Sequence, residues 1–341
     1  MSENPVEVVT AGNLPADFLG PEFAGQVHFR SASTDDELRR LVREADVLYS
    51  WRVPEIVPAE SPRLRWVQLP SAGADHLRGT PVWDSDVILT SSRGAHTVPM
   101  SEHFMAMLLA LTRRLPELTR AQEVQRWTHE RRGTSLGLTE LRGRTLGIVG
   151  WGKIGDGIAH LARAFGMRVI GTRWSIVVPR EVHEGVGAFS DPPWVLPANN
   201  PPDIVYPAAQ LHEVLAQSDA VVLVLPLTAE TQSSFGAAEF AAMRPGSLFF
   251  NIGRGGVVDE AALLDALTSG RLGGAGLDVF AQEPLPRTSP LWSHPHVIIS
   301  PHVGGVSDRT RQRTTELFGV NLTRYLSGQS LLNVVDRGAG Y

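Results

Sequence analysis

The sequence predicts an α/β protein of two domains, each a parallel sheet wound with helices. Three observations predict it: short apolar runs alternating with helix-patterned segments through the first hundred residues, a denser rhythm of the same kind from about residue 101 to residue 300, and a glycine triplet at 150–155 between an apolar run and a helix. In the first part, VEVV at 6–9, DVLYS at 46–50 and LRWVQLP at 64–70 read as strands, and DDELRRLVREA at 35–45 reads as a helix. In the second, strands are expected at 145–149, 167–172, 220–225, 247–251, 273–278 and 296–299 with helical stretches between most of them, the order of a doubly wound sheet. SEHFMAMLLALTRRL at 101–115 is apolar on nearly every side and predicts a helix buried against another domain or a second subunit. The charged stretch 116–144 with Trp127 reads as an arm or surface helix, and 175–206, with prolines at 179, 192, 193, 197, 201 and 202, reads as an insertion that leaves the rhythm. DRTRQRTTELFGVNLTRYLSG at 308–328 reads as a helix that offers Leu317, Val320, Leu322 and Leu326 to a core and returns to the first domain.

The bulk numbers exclude several classes. With 341 residues, 43% hydrophobic and 20% charged, the chain is an ordinary globular protein with room for two cores. A net charge of -5 provides no basic field for a phosphate backbone, so nucleic acid is not expected as partner. The opening MSENPVEVVT has no basic segment before an apolar one, and no run approaches the roughly 20 apolar residues of a membrane span, so a cytoplasmic protein is expected. The absence of cysteine excludes disulfides, thiolate nucleophiles and cysteine metal sites. Of 31 basic residues only Lys153 is a lysine. Asn321-Leu322-Thr323 fits a glycosylation sequon that means little without a secretory signal.

TLGIVGWGKIGDGIAHLARAF at 145–165 is a short apolar strand, then Gly150, Gly152 and Gly155 in G-x-G-x-x-G spacing, then a helix with Ile154, Ile158, Leu161 and Phe165 on one side. In that context the spacing has a mechanism, the Rossmann one. Gly150 permits the tight turn, Gly152 lets the backbone approach a pyrophosphate, and Gly155 lets the helix pack close to the sheet, while the helix N-terminus favours the anion. Gly147, Gly152 and Lys153 also fit G-x-x-x-x-G-K, but the next residue, Ile154, has no oxygen for magnesium. Gly133-Thr134-Ser135-Leu136-Gly137 fits the serine-hydrolase pattern G-x-S-x-G, but QRWTHERR before it is no buried strand. The next strand ends in VIGTRWS, 169–175, and Arg173 stands 18 residues after Gly155, where an acid would select NAD. A guanidinium there fits the 2′-phosphate of NADP(H), with Thr172 and Ser175 as supporting hydroxyl donors; NAD(H) is the alternative.

FNIGRGGVVDEAAL at 250–263, GAGLDVFAQEPLP at 274–286 and HPHVIISPHVGG at 294–305 complete the pattern. With LPSAGADHL at 69–77 and the helix opening SEH at 101, their order and wording resemble the D-isomer-specific 2-hydroxyacid dehydrogenases over nearly the whole chain. The resemblance implies a Rossmann-type cofactor domain beside a smaller flavodoxin-like α/β substrate domain, and a homodimer. It also implies that Arg254 holds the substrate, His302 is the acid/base, Glu283 supports the histidine and Asp278 contacts the nicotinamide. Lys153, Ile154, Leu225, Pro226, Thr231, Ile252, Gly253 and Gly304 would join the cofactor contacts, and the loop Ser71, Ala72 and Gly73 would bind the substrate carboxylate. Trp51 and Arg52, just after a strand, are expected to border the substrate.

The chemistry supports these roles. Reducing a 2-keto acid builds negative charge on the carbonyl oxygen, which a cation such as Arg254 stabilises. That oxygen then takes a proton, and an imidazole such as His302 gives or accepts one near neutrality. Glu283, if within reach, would orient the ring and stabilise its charged form. His294, His296 and His302 raise the alternative of a metal, but they lack a ligand motif and none is expected.

The expected domains are therefore residues 1–96 with 303–341 for substrate and 97–302, with the insertion at about 175–206, for the dinucleotide. The cleft would lie between them, with hinges near 96 and 303. The expected activity is hydride transfer between NADP(H) and a 2-keto acid/D-2-hydroxy acid pair. Glyoxylate, hydroxypyruvate, larger or aromatic keto acids and a phosphonate analogue all remain open. A cofactor-sensing binding protein on the same fold and a hydrolase using Ser135 are the rivals.

Overall fold

In a computed structural model, the described residues are 5–12, 14, 18, 23, 25–127, 137–173 and 204–339. They form two compact units, one of residues up to 96 and from 307 onward, the other of residues between 97 and 306.

The first unit is built on a five-stranded parallel sheet, in the order β2-β1-β3-β4-β5. Its strands are β1 (Val6–Ala11), β2 (Val27–Ala32), β3 (Val47–Tyr49), β4 (Trp66–Gln68) and β5 (Ile88–Thr90). β2 gives no clear apolar run in the sequence, and its pairing with β1 makes it a strand, while β5, in the apolar run VIL at 87–89, is not among the expected strands. Helix α1 (Asp35–Val42) starts where Thr34 accepts the N–H of Glu37 and Glu37 accepts that of Ser33. Its acids Asp35, Asp36 and Glu37 in the first turn and Arg39 and Arg40 in the last follow the helix dipole.

The C-terminal helix, counted below as α8 (Thr310–Leu326), packs on this sheet: Leu322 and Phe318 are fully buried among Val8, Val47, Tyr49 and Trp66. Phe318 stacks on Tyr49 at 4.6 Å and is the centre of this core, whereas Val320 and Leu326 are only partly buried. Asn321, also fully buried, donates to Gln68, so the sequon is closed to solvent.

The second unit carries a seven-stranded parallel sheet in the order β12-β11-β10-β9-β6-β7-β8. The chain runs α2 (Thr97–Thr112), α3 (Leu115–Glu123), β6 (Thr145–Val149), α4 (Lys153–Ala164), β7 (Arg168–Arg173), β8 (Ile204–Pro207), α5 (Leu211–Gln217) and β9 (Ala220–Leu223). It continues through α6 (Ala237–Ala242), β10 (Ser247–Asn251), α7 (Glu260–Thr268), β11 (Leu272–Leu277) and β12 (Val297–Ile299). From the central β6 it steps outward to β7 and β8, then returns to β9 and steps the other way. This creates a topological switch point between β6 and β9.

Three expectations change here. The apolar helix begins at Thr97, because Pro99 sits in the first turn where its missing N–H costs nothing, and it ends before Arg114, whose φ of 54° breaks the chain from α3. Its burial is supplied within its own unit. Ser101 and Thr97 lie against Gly157 of α4, where a Cβ would overlap them, and Phe104 meets Phe250 of β10 edge to face at 5.1 Å. On α4 the buried face is largely one of small residues, Gly155, Gly157, Ala159 and Ala162 with Ile158, while Phe165 beyond its end is exposed. The insertion also ends earlier than 206: Ile204, Val205 and Tyr206 pair with β7 as the edge strand β8, and Pro207 closes it at an edge that tolerates a missing donor. Most of the insertion, like Ser135, lies outside the described residues.

Candidate active site

The expected site residues of the second unit stand after the carboxyl ends of successive parallel strands. Gly150 follows β6, Arg173 ends β7, Leu225 and Pro226 follow β9, Ile252, Gly253 and Arg254 follow β10, Asp278 follows β11 and His302 follows β12. In such sheets ligands bind in the crevice outside these ends, around the switch point.

At that point the glycines do different work. Gly150 has φ of 94°, and a Cβ there would stand 2.8 Å from a methyl of Leu225. Gly253 presses on the same residue from the other side, 2.8 Å from its carbonyl oxygen to the position of a Cβ. Gly155 brings α4 against Ile148, while Gly152, the residue that caps α4, has open space where a side chain would go. Backbone crowding thus closes the turn on one side and leaves the helix N-terminus accessible, as a pyrophosphate cradle requires. The loop after β9 is held by Thr231, which donates to the carbonyl of Pro226 at 2.6 Å and exchanges hydrogen bonds with Thr228.

Trp151, inside the glycine motif, is buried; its indole donates to Asp156 at 2.8 Å and its ring fills the space over Gly171. Its backbone N–H also reaches Thr172, so the end of β7 is tied to the cradle. Arg173 there is half-buried. Thr172, the residue before it, is 3% exposed and its side chain points to the opposite face of the strand. Ser175 lies outside the described residues.

Of the residues expected to react, Glu283 and His302 meet side chain to side chain, and the Arg254 loop approaches them through backbone contacts. Glu283 Oε2 lies 2.7 Å from His302 Nδ1, and Oε1 accepts the N–H of Phe280 at 2.9 Å. Gly255, next to Arg254, sits so close to Phe280 that a Cβ would overlap the Phe280 carbonyl. Arg254 itself is half-buried, donates to Gly253 O at 2.9 Å, and has its own carbonyl held by Asn251 Nδ2 at 3.0 Å. A chain of contacts therefore runs from the Arg254 loop through Phe280 and Glu283 to His302.

His302 has a left-handed backbone with φ of 55°, which for a non-glycine residue costs about 1–2 kcal/mol. Asp278 holds it there. The Asp278 carbonyl accepts the N–H of His302 at 2.8 Å, and its carboxylate accepts those of Val303 at 2.9 Å and Gly304 at 2.8 Å. Each bond to a charged group is worth about 1.5–3 kcal/mol net, so the clamp outweighs the strain. The carboxylate also accepts from Ser300 Oγ at 2.6 Å, with His103 beside it. Of about four lone-pair positions three are taken by these protein hydrogen bonds. His103 stands in the SEH that opens at 101 and Ser300 in HPHVIISPHVGG, but neither is expected from the sequence to have a role in the site.

His294 and His296 stand before β12, at the opposite end of that strand from His302. Their rings are 6.0 Å apart, and burial followed by His296 pushes the His294 imidazole below its ordinary value. Among the described residues no group of three or more His, Asp or Glu is arranged to hold a metal, and no helix is long and apolar enough to cross a membrane.

In the first unit, Ser71, Ala72 and Gly73 follow β4 in a partly exposed loop that Ser71 braces by donating to Gly73 O at 2.7 Å. Trp51 stacks on His76 at 4.8 Å with its outer face half exposed. The Arg52 guanidinium is turned to Asp35 at 2.8 Å.

Comparison with known proteins gives a consistent answer. Residues 105–192 and 194–304 match the D-isomer specific 2-hydroxyacid dehydrogenase, NAD binding domain. A glyoxylate reductase from Aeropyrum pernix is 33% identical over 86% of this chain and 84% of its own length. A D-3-phosphoglycerate dehydrogenase from Methanocaldococcus jannaschii is 28% identical over 92% of this chain, which spans 56% of that longer protein. An NADPH-dependent glyoxylate/hydroxypyruvate reductase from Sinorhizobium meliloti, solved in complex with NADP and sulfate, superimposes with a TM-score of 0.78 at 29% identity, covering 98% of this chain and 100% of that one. A family domain matched over more than half of the sequence decides the matter: the chain belongs to the D-isomer-specific 2-hydroxyacid dehydrogenases, a class of NAD(P)-dependent oxidoreductases.

Proposed function

We propose that the protein is a 2-keto acid reductase that prefers NADPH and acts on small keto acids of the glyoxylate and hydroxypyruvate kind. The observation that carries this reading is the Glu283–His302 pair at 2.7 Å, set after β11 and β12, the two strands that follow in the sheet from β10, after which Arg254 stands. The open glycine at 152 and the crowded ones at 150 and 253 fit a dinucleotide, and when bound it supplies a hydride. Arg254 binds the substrate carboxylate and stabilises charge on the carbonyl oxygen. Because Nδ1 of His302 is committed to Glu283, Nε2 carries the proton that this oxygen takes, yielding the hydroxyl; the oxidation runs the same transfer in reverse. Arg173 selects the 2′-phosphate, and residues 71–73 offer backbone N–H groups to an anion. The small size of the substrate is supported by what the relatives from Aeropyrum and Sinorhizobium are named for.

The test follows NADPH absorbance with glyoxylate, hydroxypyruvate, pyruvate and phenylpyruvate, each repeated with NADH. Turnover of glyoxylate or hydroxypyruvate with higher kcat/KM for NADPH is expected; no turnover of any keto acid would sink the reading. A homodimer belongs to the same proposal. Around α3, Val124 is 70% and Trp127 88% exposed, and a second copy would bury them. Sedimentation showing a monomer at every concentration would refute that.

A further inference from the structure

Below the His302 loop, α2 contributes a second histidine that no motif assigns to the reaction. His103 Nε2 lies 2.8 Å from Ser300 Oγ, and Ser300 Oγ donates to Asp278 Oδ1 at 2.6 Å. The serine has one proton and gives it to the carboxylate, so His103 Nε2 must be the donor in the first contact. The same nitrogen is 3.5 Å from Asp278 Oδ1, and the edge of the ring leaves only 3.2 Å between its Cδ2 and the place of a Cβ on Gly304. The Asp278 side chain is 2% exposed and that of His103 23% exposed. At the other end, Asp278 holds the N–H groups of His302, Val303 and Gly304 and with them the left-handed backbone at His302.

From this geometry we infer that His103 is a positioning residue for the reaction: through Ser300 it fixes the rotamer of Asp278, and through Asp278 it fixes where His302 presents its proton. A carboxylate on a rotatable side chain clamps a strained backbone only while its own torsion is fixed, and the two side-chain partners of Oδ1 are what fix it. His103 touches no reacting atom. Its effect falls on the alignment of His302, so it acts on turnover more than on binding.

The inference rests on His302 being the proton donor, and the experiment separates the two. In the full-length protein, kcat and KM for glyoxylate reduction are measured for His103→Ala, His103→Gln, Ser300→Ala, the His103→Ala/Ser300→Ala double variant and His302→Gln, and NADPH affinity is measured by protein fluorescence. Expected is a kcat loss of about 10- to 100-fold in His103→Ala, the scale of a displaced catalytic group, with NADPH affinity close to wild type. Gln, whose amide Nε2 can still donate to Ser300, restores most of the loss. Ser300→Ala shows a similar loss, and the double variant falls no further than the singles because one chain is broken. Should His103→Ala not fold, the Gln and Ser300→Ala variants carry the test. Wild-type kcat in His103→Ala or Ser300→Ala, equal damage in His103→Ala and His103→Gln, or a parallel loss of NADPH affinity overturns the inference. Full turnover in His302→Gln overturns the reading of His302 instead.

Discussion

Glu283 Oε2 stands 2.7 Å from His302 Nδ1 while Oε1 of the same carboxylate holds the N–H of Phe280. One side chain therefore orients the ring and ties it to the strand end that packs on Gly255. Replacing His302 by Gln is expected to lower kcat by about 10²- to 10⁴-fold, the usual contribution of a general acid, with NADPH affinity unchanged. Glu283→Gln keeps a hydrogen-bonding group and should lose less than Glu283→Ala. Steady-state kinetics beside a fluorescence titration check both, and a His302 variant with normal turnover would contradict the assignment.

Cofactor choice is expected to turn on Arg173, half-buried at the end of β7. Charge-assisted bonds to a phosphate contribute about 1.5–3 kcal/mol, which corresponds to roughly 10- to 150-fold in kcat/KM. Arg173→Ala should lose that factor with NADPH and change little with NADH. An unchanged NADPH/NADH ratio would refute the role.

The cradle glycines should separate folding from binding. Gly150→Ala places a Cβ on a backbone with φ of 94° and against Leu225, so reduced Tm or poor yield is expected. Gly152→Ala meets no protein atom within 4 Å, so it should melt like wild type and bind NADPH weakly. Thermal melts with binding assays decide; tight NADPH binding in Gly152→Ala would argue against a pyrophosphate at that position.

Alkaline pH should weaken the first unit. Burial raises the Tyr49 phenol, with its hydrogen bonds to Thr314 and Thr315 opposing in part, and burial followed by the Asp46 charge raises Tyr325. The folded chain keeps these phenols protonated where the unfolded one ionises them. Their contribution is whole below the ordinary phenol value near 10 and is lost as pH climbs through the raised values. Tm should therefore fall from pH 9 to pH 11, and less steeply in Tyr49→Phe; equal slopes would exclude Tyr49 as a cause.

The α/β class and most strands of the larger sheet were legible because a strand buried on both faces must be a continuous apolar run, as TLGIV at 145–149 is. Some short edge strands were not: β2 owes its conformation to its pairing with β1, and β8, though made of the strand formers Ile204, Val205 and Tyr206, was hidden among prolines 201, 202 and 207. The apolar girth of α2 was visible, but what covers it was not, since Gly157 reads as a helix-weakening residue until Ser101 is seen resting on it. The same holds at the site. Glu283, His302, His103 and Ser300 all stand in recognisable wording, but only the first two suggested a role there; His103 and Ser300 gain theirs from a carboxylate that both approach.

By itself the sequence determined the family, the glycine motif and the identities of the groups able to move a proton or hold an anion, because these depend on residue type and short-range spacing. Only the tertiary structure decided which of them meet. It turned Arg52 toward Asp35, buried Thr172, separated His294 and His296 from His302 by the length of a strand, and set Asp278 beneath His302. The physical reason is that hydrogen bonds act over about 3 Å, whereas the residues they join here, His103 and Ser300, lie 197 positions apart along the chain.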